Sequence, residues 1–185
     1  MTEQETSYSA QAVVDFWRDA GPQKWFKKDE DFDARFKARF LAAHEAAAMG
    51  KLDSWAGTAD GALALLVLLD QFPRNAWRDT PRMYATDGKA LDVARRAVDA
   101  GLDMQVEDPG LRAFFYLPFM HSESLAAQDR SVELCRNANE DNLRFAVHHR
   151  DIVARFGRFP HRNAVLGRES TPEEVKFLDE GGFTG

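Results

Sequence analysis

The sequence has one cysteine, Cys135, so no disulfide can form within the chain, and a reducing compartment fits. Long apolar runs are missing too. The longest, ALALLVLL at Ala62–Leu69, falls well short of the roughly 20 residues a bilayer requires. It reads as a buried helix, and no membrane partner is expected. The N-terminal MTEQETSYSA is acidic and polar, unlike a secretory signal, so a cytoplasmic location is expected. Positive charge is in deficit, with 24 Lys and Arg against 30 Asp and Glu and a net charge of -6. That balance argues against a nucleic-acid partner. The glycine patterns of dinucleotide and phosphate loops, the His-Glu-x-x-His helix, calcium loops and the Gly-x-Ser-x-Gly elbow are all absent. No metal and no particular cofactor is indicated. Alternating hydrophobicity is scarce, and MQVE at Met104–Glu107 is too short to carry a sheet.

What is present is helical periodicity. The chain reads as one all-α domain over residues 1–185 with about eight helices. The first should run from Ser9, a good N-cap, to Gly21, with Val13, Phe16 and Trp17 inward. Trp25 and Phe26 should pin the connector that follows. A second helix spans Asp31 to Met49 on a Phe32, Phe36, Phe40 stripe, and a third runs from Thr58 to Gln71. Thr80 and Thr86 can cap the next turns. A helix from Pro109 should kink at Pro118 and continue past Leu125 to Cys135. The last two should span Asn139–Phe156, with Phe145, His149, Ile152 and Phe156 inward, and start at Thr171 in a Thr-Pro-Glu-Glu capping box.

One cassette occurs twice: Phe-Pro-Arg-Asn-Ala at Phe72–Ala76 and Phe-Pro-His-Arg-Asn-Ala at Phe159–Ala164. Proline disfavours helix at the residue before it, so Phe72 and Phe159 should both leave helical geometry. Each copy would then be a connector between helices, and stacked antiparallel helix pairs would follow. Arg74 and Arg162 have two readings. Each bonds helix-terminal carbonyls or a carboxylate, or both face one pocket and hold an anion.

The same two readings apply to the wider polar set. Between Arg144 and Arg168 lie six arginines and three histidines against one acid, Asp151. The arginines either pair with the acidic remainder of the chain or line a pocket for phosphate or carboxylate. His149 sits in an apolar stripe, as a core histidine or as a proton carrier. His121, Ser122 and Glu123 follow Pro118, where a kink can open a cleft. In the pocket reading His121 or His149 moves protons, Glu123 or Asp70 orients the imidazole, and Arg74, Arg158 and Arg162 hold a small anionic molecule. In the alternative, the polar network is structural and the helices form a module for a protein or peptide. A monomer or a small homo-oligomer fits either reading.

The stretches LLDQFPRN, YATD, YLPFMHSE, RFGRFPHRNAVLGR and STPEE, with the early Phe16-Trp17, Trp25-Phe26 and Phe32-Asp33 pairs, resemble the bacterial domain of unknown function 924 family over nearly the whole chain. The resemblance implies an all-helical, tetratricopeptide-like superhelix and no particular reaction. It places the family's motif residues at Asp70, Gln71, Arg74, Asn75, His121, Ser122, Glu123, His149, Arg155, Arg158, Arg162, Asn163 and Arg168.

Overall fold

The computed structural model describes residues 9–136, 138 and 140–185. Among them the regular structure is wholly helical, and Met104–Glu107 is a turn and loop. The chain runs through α1 (Ala10–Ala20), α2 (Pro22–Trp25), α3 (Glu30–Ala48), α4 (Ala59–Leu66), α5 (Phe72–Ala76) and α6 (Asp87–Asp99). It continues through α7 (Pro109–Arg112), α8 (Leu117–Met120), α9 (Leu125–Cys135), α10 (Glu140–Phe156) and α11 (Pro172–Asp179). The pieces outnumber the expected eight because α2, α5, α7 and α8 are single short turns. The polar N-terminal stretch before Ser9, and Asn139 as the start of α10, lie outside the described residues. No helix among the described residues is long and apolar enough to cross a membrane.

Caps and stripes explain most boundaries. Ser9 accepts from the Ala12 N–H at 3.2 Å and opens α1. Asp29 does the same for α3, and Thr171 with Glu174 forms the expected capping box of α11. Phe32, Phe36 and Phe40 are buried on one face of α3, where Phe32 and Phe36 meet Trp17 of α1. Trp25 pins its connector by stacking on Trp17 and donating its indole N–H to the Trp17 carbonyl at 2.7 Å. Phe26 does not share that role: it is 68% exposed, with one ring face on Phe114. The run around Pro118 is not one kinked helix. It breaks into α7, a 3-10 turn and α8, with Pro118 in the first turn of α8, where its missing N–H costs no bond.

The two cassettes have different backbones, so the expected repeated connector does not exist. Phe159 is extended (φ -92°, ψ 108°) and leads into a 3-10 turn at Pro160–Arg162, as anticipated. Phe72 is helical (φ -53°, ψ -47°), against expectation. The segment Val67–Gln71 widens into a π-helical turn and passes straight into α5. Pro73 has no N–H for the carbonyl five residues back, Leu68, or four back, Leu69. Side chains replace it. His44 Nδ1 donates to the Leu68 carbonyl at 2.8 Å, and the Thr86 hydroxyl donates to Leu69. Arg74 Nη1 donates to the Asp70 carbonyl at 2.8 Å. Thr86 and Thr80 stand at the N-cap positions of α6 and of the Pro81–Tyr84 turn as expected, but neither side chain makes a capping bond, and Thr80 gives its hydroxyl to the Trp77 carbonyl.

Most apolar side chains form one large core. A second, small cluster joins Ile152, Val153 and Phe159 with Phe156, Phe177 and Phe183 at the C-terminal side. On α10, His149 and Ile152 are buried as expected, but Phe145 is 48% exposed. The two apolar clusters face each other across a polar seam.

Candidate functional site

A cavity of about 310 Å³ lies on that seam, where the π-helical turn and α5 meet the end of α8, α10 and the second cassette. Gln71, Arg74, Asn75, His121, His149 and Arg162 line its polar side. Arg78 and His161 are also on that side, and Trp25, Phe26, Met83, Tyr84, Phe159, Phe183 and Gly185 line the rest. A second cavity of about 320 Å³ shares Tyr84, His121 and Arg162 with the first and adds Asp87, Ser122 and Glu123.

Asp70 and His121, 51 positions apart, form a pair. His121 Nδ1 lies 2.7 Å from Asp70 Oδ1. Gln71 Nε2 donates to Asp70 Oδ2 at 2.6 Å, and Arg74 Nη1 lies 3.2 Å from Asp70 Oδ1. Asp70 is 1% exposed. Burial disfavours its ionised form, but Arg74 and His121 outweigh this and hold the carboxyl well below its usual range. An ionised Asp70 fixes the proton of His121 on Nδ1 and leaves Nε2 for a bound molecule.

The arginines divide sharply. Arg74 is spent: it makes a two-armed bond to Asp87, at 2.7 and 2.9 Å, besides its contacts to Asp70. Arg162 is 7% exposed, and its guanidinium lies over the Tyr84 and Phe159 rings at 4.5 and 4.6 Å. The one hydrogen bond of its guanidinium among the described residues runs from Nη2 to the His121 carbonyl at 2.9 Å. Its nearest carboxylate oxygen, on Asp87, is 3.6 Å away, and its buried Nε finds no acceptor. Burial, and then repulsion by Arg74, make its charge harder to hold.

The histidines beside it are neutral near pH 7. His149 donates from Nδ1 to the Phe145 carbonyl at 2.8 Å, and burial pushes it down to about 4. Burial, with Arg162 close by, pushes His161 down to about 4 as well. Both rings meet Phe183 edge-on, at 4.7 and 5.1 Å.

Other expected site residues lie elsewhere or are occupied. Glu123 does not orient an imidazole. Its oxygens accept from Arg168 at 2.7 and 2.9 Å and from the Phe159 N–H at 2.8 Å. Arg168 also donates to Asn163, and Asn163 donates to Glu174, which Arg158 grips with both arms. Those residues hold the second cassette in shape. Arg158 is thus not beside the anion position assigned to it, and Arg155 pairs with Glu173 on the surface. Ser122 accepts from the Ser124 N–H and reaches only the second cavity. Asn75 donates to Asp33 at 2.6 Å at the cavity wall. The local arginine excess is mostly absorbed by pairing, with Arg162 the poorly paired member.

Sequence reasoning missed Tyr84, Asp87 and Phe183 as site residues. Tyr84 and Asp87 lie in the YATD stretch, and that was their one signal. Phe183 carried none. Among the described residues no three His, Cys, Asp or Glu side chains are grouped to hold a metal ion.

The family described as bacterial protein of unknown function (DUF924) matches residues 13–182. Among curated proteins none matches the chain. A solved structure, that of the protein of unknown function ATU0120 from Agrobacterium tumefaciens, is similar at 53% identity with a TM-score of 0.90. The match covers 93% of this chain and 97% of that one. Neither description names a reaction, ligand or partner.

Proposed function

The chain belongs to the bacterial DUF924 family, whose description prescribes no chemistry, and we propose from the site itself that it binds a small anionic molecule at Arg162 and moves a proton on it through His121. One observation carries this reading: a buried arginine with one hydrogen bond and an unpartnered Nε beside a cavity. A guanidinium has five N–H donors, and taking it out of water without partners is costly. A bound anion would supply acceptors for the guanidinium donors that reach the cavity. The Asp70–His121 pair supports the proton step, because a carboxylate on Nδ1 sets the tautomer and makes Nε2 a general base.

Calorimetric titration of the protein with a panel of small carboxylates and phosphates tests this. Arg162→Ala should abolish any binding found, and Asp70→Asn should spare binding but suppress proton transfer, seen as lost exchange of substrate protons with deuterated solvent. A panel that binds equally well to Arg162→Ala removes the basis of the proposal.

A second reading has one observation in its favour. Phe26 is 68% exposed at the cavity rim, as a residue that meets a partner would be. In that reading the helices form a tetratricopeptide-like superhelix that holds a peptide. A partner recovered by the wild type and lost by Phe26→Ser would favour it over the first.

A further inference from the structure

Resting on the reading of the cavity as an anion site, we propose that its ligand is a monocarboxylate with a flat apolar body, the carboxylate at the guanidinium of Arg162 and the body against Trp25, Phe26 and Phe183. The argument is a census of donors and charges. Arg74 is neutralised by Asp70 and Asp87, and Arg78 by Asp33 at 2.9 Å. His149 and His161 bring no charge near pH 7. Among the described residues of the cavity Arg162 is the arginine with free donors, and with Asp87 3.6 Å from it the charges of Arg74, Arg78 and Arg162 balance those of Asp33, Asp70 and Asp87.

A phosphate dianion would bring two negative charges to a site whose side-chain charges already balance, next to Asp87 and Asp70. Phosphate sites instead gather several donors on three oxygens. A carboxylate brings half that charge, on two oxygens that the free donors of Arg162 can meet. The opposite wall decides the rest of the molecule. It presents aromatic faces and edges, and His149 and His161 already accommodate one phenyl ring, that of Phe183, edge-on. Flat rings pack well on such surfaces. At about 310 Å³ the cavity is at the small end of ligand sites, suited to one ring and a short acidic arm.

The test is isothermal titration of the intact protein near pH 7.5 with benzoate, trans-cinnamate, methyl cinnamate, acetate and inorganic phosphate. An aryl carboxylate should bind, with acetate and the methyl ester at least about tenfold weaker and phosphate silent. Arg162→Gln should lose at least about tenfold, while Arg155→Gln, a change on the surface, should leave affinity unaltered. The acid–ester comparison needs no variant, so it decides the matter even if Arg162→Gln does not fold. Phosphate binding that depends on Arg162, without aryl carboxylate binding, overturns the ligand class and leaves the anion site standing. Equal binding of the acid and its ester overturns both. Absence of any aryl carboxylate binding overturns the class.

Discussion

Two arginines, Arg162 in the second cassette and Arg168 just after it, carry opposite expectations. Arg168 fills its donors with Asn163, Glu123 and the Phe159 carbonyl. Arg168→Ala would strand the half-buried Glu123 and should lower unfolding free energy by about 2–3 kcal/mol in chemical denaturation. Arg162 is buried with one bond, so Arg162→Met should change stability by less than about 1 kcal/mol, or raise it. Should Arg162→Met fall as far as Arg168→Ala, Arg162 is a structural member and no anion is needed there. The histidines give a third expectation. His149 and His161 lie at about 4 in the folded chain against an ordinary 6.5. Between those values the unfolded chain holds more protons, so stability is full above pH 6.5 and falls as pH drops toward 4. His149→Asn should remove its share of that slope, up to about 3 kcal/mol, in denaturation curves taken across the window. Below it, loss passes to Asp70 and Glu174, both held below the usual carboxylate range. Residue types at the site were readable in the sequence: Asp70, Arg74, His121, His149 and Arg162 all stand out there. Their pairing was not. Glu123 is two positions from His121 and Asp70 is 51, yet Asp70 meets the ring, because tertiary packing and not spacing decides that contact.

At the scale of the element, Pro73 is the lesson. The rule that a residue before proline leaves the helix holds at Phe159 and fails at Phe72. It fails because the freed carbonyls of Leu68 and Leu69 find donors on His44 and Thr86, which come from distant parts of the chain. Thr86 looks like an N-cap in the sequence, and the two roles separate cleanly by mutation. Aspartate is a good cap but cannot donate a hydrogen bond when ionised. Thr86→Ser should therefore be nearly neutral, whereas Thr86→Asp should lose about 1–3 kcal/mol by leaving the Leu69 carbonyl unsatisfied. A thermal melt in which Thr86→Asp gains stability would show that a side-chain capping bond outweighs the bond to Leu69. Ser9 and Thr171, by contrast, were legible, because a cap satisfies groups within its own first turn and needs nothing from afar.

Across the whole molecule, stripes on α3 and α4 led directly to the main core. The small second cluster was not legible, since Phe177 and Phe183 join Phe159 only once the segment after α11 turns back. Gly182 permits that turn: a side chain there would strike the Phe177 carbonyl. Gly182→Ala should then loosen Phe183 and weaken whatever the cavity binds, with little change to the main core, as seen by a local rather than global change in near-ultraviolet dichroism.

The polar seam has one more consequence. Asp70 and His121 are anchored to the large cluster, while Arg162 stands next to Phe159 in the small one. Amides of α11 and of residues 157–168 should exchange with deuterium through a partial opening that leaves α3 and α4 protected. A molecule that touches both banks must leave before that opening occurs. Its affinity should therefore be readable as slowed exchange in those two segments, and the same free energy should appear in global unfolding.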